Sequence, residues 1–184
     1  MLAAGLVLVA LIVLVRQTGQ ELPRSAECAV AEAGVRVDAA AVPAGPVAGY
    51  GGDQLANAAA IVNAGQALGL DTCAQTIGVM TAMGESSLQV LDRGDAVGPD
   101  SRGLFQQRDN GAWGSYADRM DPTTSATNFF RALQEVPDWR ALTPTIAAHR
   151  TQRNADPYHY ERYWPAAVEV VTALAGRPVT GTRP

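Results

Sequence analysis

Glu85 is the one acid in a helix-length run that is otherwise small, apolar or neutral. At helical spacing its own face holds Ala74, Gly78, Thr81 and Ala82, none of which can neutralise a carboxylate. Apolar surroundings disfavour the charged form, so the pKa of Glu85 is expected to rise and its proton to be kept near neutral pH. A carboxyl that holds its proton there is suited to general acid chemistry. The competing reading is a carboxylate turned out to solvent past Ser86 and Ser87.

A loop further along tilts the balance toward chemistry. Gly103-Leu104-Phe105-Gln106-Gln107 offers a Gly for close backbone approach, two bulky apolar anchors, and two amides that both donate and accept. Neutral amides beside aromatic rings suit a carbohydrate, which presents hydroxyls and amides rather than charge. Trp113, Tyr116, Trp139, Tyr158, Tyr160, Tyr163 and Trp164 add ring faces, although the core claims aromatics just as readily. Asp92, Asp95, Asp100 and Asp109 lie beyond Glu85 as possible second carboxylates, base or nucleophile, or else as Asx-turn residues around Gly94 and Gly98. Their spacing does not fit an EF-hand loop, and no metal or other cofactor is expected.

The elements that must position these groups are helical. Leu55, Ala58, Ala59 and Val62 make an apolar stripe in a helix from Asp53 to near Gly69. A second helix starts at Asp71 or Thr72, with Thr72-x-x-Gln75 as a capping box, and carries Cys73, Ile77, Met80 and Gly84 on one face. Residues 89–120 are loop-rich. Beyond them Asp121-Pro122, Thr143-Pro144 and Asp156-Pro157 each place a capping oxygen before a Pro at the first helical position, where its missing N–H costs nothing. No run of alternating β-branched residues occurs, so the fold class is all-α, with one domain over 53–175.

What flanks that domain is different in texture. Residues 1–15 lack any polar side chain and would span roughly 22 Å as a helix, short of a bilayer core of about 30 Å. Residues 1–16 are expected to be a membrane signal-anchor or a signal peptide, with all that follows outside the cytoplasm. Residues 17–52 are rich in Ala, Gly and Pro without a sustained period, as expected of a tether of low order, and 176–184 of a frayed tail.

Composition narrows the function classes. The 184 residues carry 14 basic groups, all Arg, against 18 acidic ones, a net charge of −4. No basic patch is interleaved with aromatics, so a nucleic-acid partner is not expected. Two His and two Cys are too few for a cysteine-rich scaffold or a multi-ligand metal site. Outside the cytoplasm Cys28 and Cys73 would pair, pinning the N-terminal segment to the start of the second helix. No motif supports thiol catalysis.

Taken together, Met83-Gly84-Glu85-Ser86-Ser87-Leu88 and Gly103-Leu104-Phe105-Gln106-Gln107 resemble the E-S-x and G-L-M-Q motifs of the lysozyme-like, lytic transglycosylase superfamily. With Leu91-Asp92-Arg93-Gly94-Asp95, Trp113-Gly114 and Met120-Asp121-Pro122, the chain is similar to an actinobacterial branch of secreted or membrane-tethered members. The resemblance implies a bilobal helical fold with a groove for the peptidoglycan glycan strand, cleaved between N-acetylmuramic acid and N-acetylglucosamine. It implies Glu85 as acid/base, Ser86 orienting the carboxylate, and Gln106 on the groove wall near an N-acetyl group. Phe105 stands where Met is more common, and Gln107 follows it. An A-Y-N segment whose Tyr touches the catalytic Glu is unmatched; Ala147-Ala148-His149-Arg150-Thr151-Gln152 stands there instead. His149, Gln152, Tyr158 or Tyr160 is left to fill that place. The resemblance also implies a 1,6-anhydro product. The alternatives are a muramidase using Asp92, Asp95 or Asp100, and a non-catalytic module that binds wall glycan or scaffolds an envelope assembly.

Overall fold

The computed structural model describes residues 25–29 and 31–179. Among them the chain forms six α-helices and no β-strand: α1 (Asp53–Ala67), α2 (Thr72–Ser86), α3 (Tyr116–Met120), α4 (Pro122–Gln134), α5 (Pro144–Gln152) and α6 (Trp164–Ala175). The all-α class holds for these residues. The expected anchor over 1–16 lies outside them, and among the described residues no helix is long and apolar enough to cross a membrane.

The axis of the molecule is α2. Every residue from Thr72 to Met83 is buried, and a helix with so little polar surface is stable only when covered on all sides. It packs against α1, α5 and α6, while α4 crosses α1. On α1 the stripe Leu55, Ala58, Ala59 and Val62 is buried as patterned.

The helix starts show which local signals prevailed. Asp71 caps α2, accepting from the Ala74 amide at 3.0 Å. Thr72 is therefore inside the helix, and the box expected with Gln75 does not form. Asp121 caps α4 with Pro122 in the first turn, and Pro144 opens α5. Asp156-Pro157 opens no helix: the Asp156 side chain accepts from the Tyr158 amide at 2.9 Å, an Asx turn that competes with a cap. The last helix begins instead at Trp164, with Pro165 in its first turn.

The segment expected as a loose tether is, where described, laid against α1 and α2. Gln75, fully buried, accepts from the Val35 amide at 3.0 Å and donates to the Val35 carbonyl at 2.8 Å. Asn63 pairs with both backbone groups of Val37 in the same way, at 2.8 and 2.9 Å. Two side-chain amides thus do what a neighbouring strand would do, and the Val35 and Val37 side chains reach the core. Cys28 and Cys73 are joined by a disulfide. The tail is also tied down as far as it is described: Val179 is buried and its carbonyl accepts from Thr72 Oγ1 at 2.6 Å.

The loop-rich insert between α2 and α4 is fixed from below by Arg119 of α3. Arg119 is 3% exposed, donates to the carbonyls of Asp100 and Gln107, and pairs with Asp109 at 3.3 Å. Gly103 has φ +73°, and a Cβ there would sit 1.9 Å from the Arg119 carbonyl oxygen, so only glycine fits.

Candidate active site

Glu85 lies in the last turn of α2, half-buried, where the insert, α5 and the turn before α6 converge. Burial raises its pKa, and the free carbonyls of a helix C-terminus disfavour an anion in the same direction. The Tyr160 hydroxyl donates to Glu85 Oε1, and the Gln152 amide also bonds the carboxyl; both favour the ionised form and temper the rise. His159 acts in the same sense through its charge, while Asp95 pushes the pKa up. The net direction is up. Glu85 therefore retains a proton more readily than a free carboxyl, yet has two donors waiting for the anion.

Two of the residues considered for contact with Glu85, Tyr160 and Gln152, both bond its carboxyl. Tyr160 is wholly buried, and its own ionisation is pushed out of reach by burial and by Glu85, so it stays a donor. A Cβ on Gly84 would lie 2.7 Å from Tyr160 Cδ1 and 3.3 Å from Tyr163 Cε2. That glycine is what lets both rings close on α2 beside the carboxyl. Gln152 also donates to the Phe105 carbonyl at 2.8 Å, coupling the loop to Glu85. His149 is instead held by Asn154, at 2.8 Å, and Tyr158 is 63% exposed.

His159 was not singled out from the sequence. Its Nε2 lies 3.3 Å from the Gly84 carbonyl, and because a carbonyl only accepts, Nε2 carries the proton. Its ring stands edge-on to Tyr160, with centroids 4.8 Å apart. The only available signal was the unbroken string Tyr158-His159-Tyr160 after a turn.

Several residues expected at the ligand turn inward. Ser86 does not reach the carboxyl; its hydroxyl donates to the Leu104 carbonyl at 2.8 Å, fastening the loop to α2. Phe105 is fully buried and stacks on Phe129, with centroids 4.7 Å apart. Gln107 is 2% exposed and donates to the Ser125 carbonyl. These three build the loop's underside. Gln106 differs: it has φ +46°, is half-buried, and donates to the Gly103 carbonyl at 3.3 Å.

The candidate second carboxylates separate by their partners. Asp92 pairs with Arg102 at 3.0 Å and takes a hydrogen bond from Tyr116. Asp100 accepts from the Asp109 amide and pairs with Arg108 at 2.7 Å, which holds its pKa below the usual carboxylate range. Asp95 forms an Asx turn with the amides of Val97 and Gly98, at 2.9 and 2.6 Å. Its charge also acts on Glu85, raising the pKa of that carboxyl.

Among the described residues no cluster of His, Cys, Asp and Glu is arranged to hold a metal ion. The arrangement can protonate a leaving oxygen and take a proton back. No family model matches the chain, and no curated protein matches it in sequence.

Proposed function

We propose that this chain is a lysozyme-like enzyme that cleaves the peptidoglycan glycan strand between N-acetylmuramic acid and N-acetylglucosamine, as a lytic transglycosylase. The observation that carries the reading is Glu85: a half-buried carboxyl with a raised pKa, held by Tyr160 and Gln152 on two separate elements. Protonated Glu85 donates to the glycosidic oxygen as the C1–O bond breaks. The carboxylate then takes the proton of the substrate's own 6-hydroxyl, whose oxygen closes on C1. Atoms balance without water, and no second carboxylate is needed. That Asp92 and Asp100 are engaged elsewhere favours this route.

Asp95 favours a second reading, hydrolysis. An inverting base sits about 6.5–9.5 Å from the acid and a retaining nucleophile about 5–5.5 Å. An Asp whose oxygen is already bonded to two loop amides is less free to attack. The disulfide supports an oxidising compartment, which agrees with an extracytoplasmic domain tethered or exported through residues 1–16.

Purified wall sacculi incubated with the wild type and with Glu85→Gln test the reading, with products analysed by mass spectrometry. Soluble 1,6-anhydro-muropeptides from the wild type alone are expected. Reducible ends would make the protein a muramidase. No solubilisation, with retained binding to sacculi, would leave a wall-binding module.

A further inference from the structure

The N-terminal segment brings an aromatic residue to the site from outside the helical domain. Residues 47 and 50 close a turn, with Val47 and Tyr50 exchanging backbone hydrogen bonds at 2.8 and 2.9 Å. Just after it, the first turns of α1 are fixed to the end of α2. Gln54 donates to the Ser87 carbonyl at 2.8 Å, and Asn57 to the Leu88 carbonyl at 2.9 Å. Tyr50 is thereby held at the same end of α2 as Glu85, half-buried, its phenol close enough to feel that of Tyr163. Tyr163 in turn lies over Gly84, the neighbour of Glu85. On the Tyr163 ring rests the Arg162 guanidinium, 5.0 Å from the centroid and exposed to solvent.

This surface differs in kind from the neutral amides of the loop. A guanidinium stacked on a ring keeps its N–H edges free for a planar anion, which it binds through paired, charge-assisted hydrogen bonds. The Tyr50 phenol, near Tyr163, is a neutral donor whose proton burial helps to hold. Neutral sugar rings have no use for a cation. A carboxylate does.

We propose that Tyr50, Tyr163 and Arg162 form a recognition surface beside Glu85 for a carboxylate of the acidic peptide borne by the substrate's lactyl group. The protein then distinguishes peptide-bearing glycan from the bare strand, and residues outside the helical domain contribute to specificity. The inference rests on glycan cleavage as the proposed activity.

The test compares full-length protein on two substrates, intact sacculi and sacculi stripped of peptide by an amidase. Wild type should show the higher kcat/KM on the peptide-bearing form. Arg162→Gln should lower kcat/KM there by about tenfold, and Tyr50→Phe by about threefold, with both near wild type on stripped strands. Arg162→Lys keeps the charge without the fork and should fall between. Arg131→Gln, on the exposed side of α4, serves as the control and should change neither rate. Equal losses on both substrates would show that Arg162 merely props Tyr163, and an unchanged preference would show that it plays no part; either overturns the proposal. A second readout, binding of soluble muropeptide and its stripped glycan to Glu85→Gln by calorimetry, separates the two readings. Peptide-dependent binding lost in Arg162→Gln would support the surface even without cleavage. No cleavage and no such binding would sink both.

Discussion

The Tyr160 hydroxyl donates to Glu85 Oε1 across a sequence separation of 75 residues. One residue lies in the last turn of the central helix, the other in a turn that opens onto α6. Gly84 makes the contact possible, since a Cβ there would fill the space of the Tyr160 ring. The bond favours the carboxylate, against burial, which favours the acid. Glu85 is therefore poised by opposition, and each of the two terms can be removed separately.

Removing the donor should shift the balance toward the acid. In Tyr160→Phe the anion loses a hydrogen bond, so the pKa of Glu85 rises further, and the alkaline limb of the pH–rate profile moves to higher pH. A charge-assisted hydrogen bond is worth about 1.5–3 kcal/mol, so a loss of about tenfold in kcat is expected, because the re-formed carboxylate is left less stabilised. A profile that moves to lower pH would show that Tyr160 does not act on this carboxyl.

Removing the carboxyl should stabilise the fold, with a definite pH dependence. Because the folded pKa of Glu85 is raised, the unfolded chain ionises first as pH climbs through the ordinary carboxylate range. Stability from this group is whole below that range and is lost as pH rises through the folded value. Glu85→Gln does not titrate there, so its melting temperature should match wild type in acid and exceed it at neutral pH. Thermal melts across that range check the sign. A variant less stable than wild type at neutral pH would contradict a raised pKa.

The glycine between helix and ring gives a geometric check. Gly84→Ala adds helix propensity of about 1 kcal/mol, yet overpacking against a buried ring typically costs about 1–3 kcal/mol. With the new Cβ 2.7 Å from Tyr160 Cδ1, net destabilisation is expected, together with the same alkaline shift as Tyr160→Phe. Stabilisation with an unchanged profile would mean that the ring yields freely.

What the sequence displayed and what it concealed follow from the range of the interactions. The stripe on α1, the Asp-Pro start of α4 and the isolation of Glu85 are local patterns, and they were legible. The Cys28–Cys73 pairing was legible because only two cysteines exist. The Gly103–Gln107 loop was readable as an element, but not which way its side chains turn. Ser86, Phe105 and Gln107 look alike as polar or apolar candidates until the Leu104 carbonyl, Phe129 and Ser125 are seen beneath them. The N-terminal segment was hidden for a different reason. Its backbone is paired by Gln75 and Asn63, so no alternating strand pattern is needed to order it.

That same segment makes the disulfide measurable. Cys28→Ser with Cys73→Ser opens a link between residues 45 apart, and such a loss typically costs about 2–4 kcal/mol. A lowered melting temperature is expected, while non-reduced wild type made in an oxidising compartment should yield no alkylatable thiol. If the double variant melts with the wild type, the amide clamps at Val35 and Val37 hold the segment unaided.

Asp95 separates the two chemistries proposed at Glu85. Its carboxylate raises the pKa of Glu85, while Arg102, Arg108 and Arg119 pair with Asp92, Asp100 and Asp109. Asp95→Asn keeps an oxygen for the amides of Val97 and Gly98 but removes the charge. If the 6-hydroxyl of the substrate closes on C1, no carboxylate beyond Glu85 takes part in bond making. Asp95→Asn should then retain at least about a tenth of the activity, still release 1,6-anhydro ends, and shift the alkaline limb to lower pH. If instead Asp95 activates water or attacks C1, its loss should cost about as much as that of Glu85, and the wild-type product should carry a reducible end. Borohydride reduction of the released muropeptides distinguishes the two, because an anhydro end takes up no hydride. A variant as inactive as Glu85→Gln, with reducible wild-type products, would assign hydrolysis to this site and Asp95 to the second role.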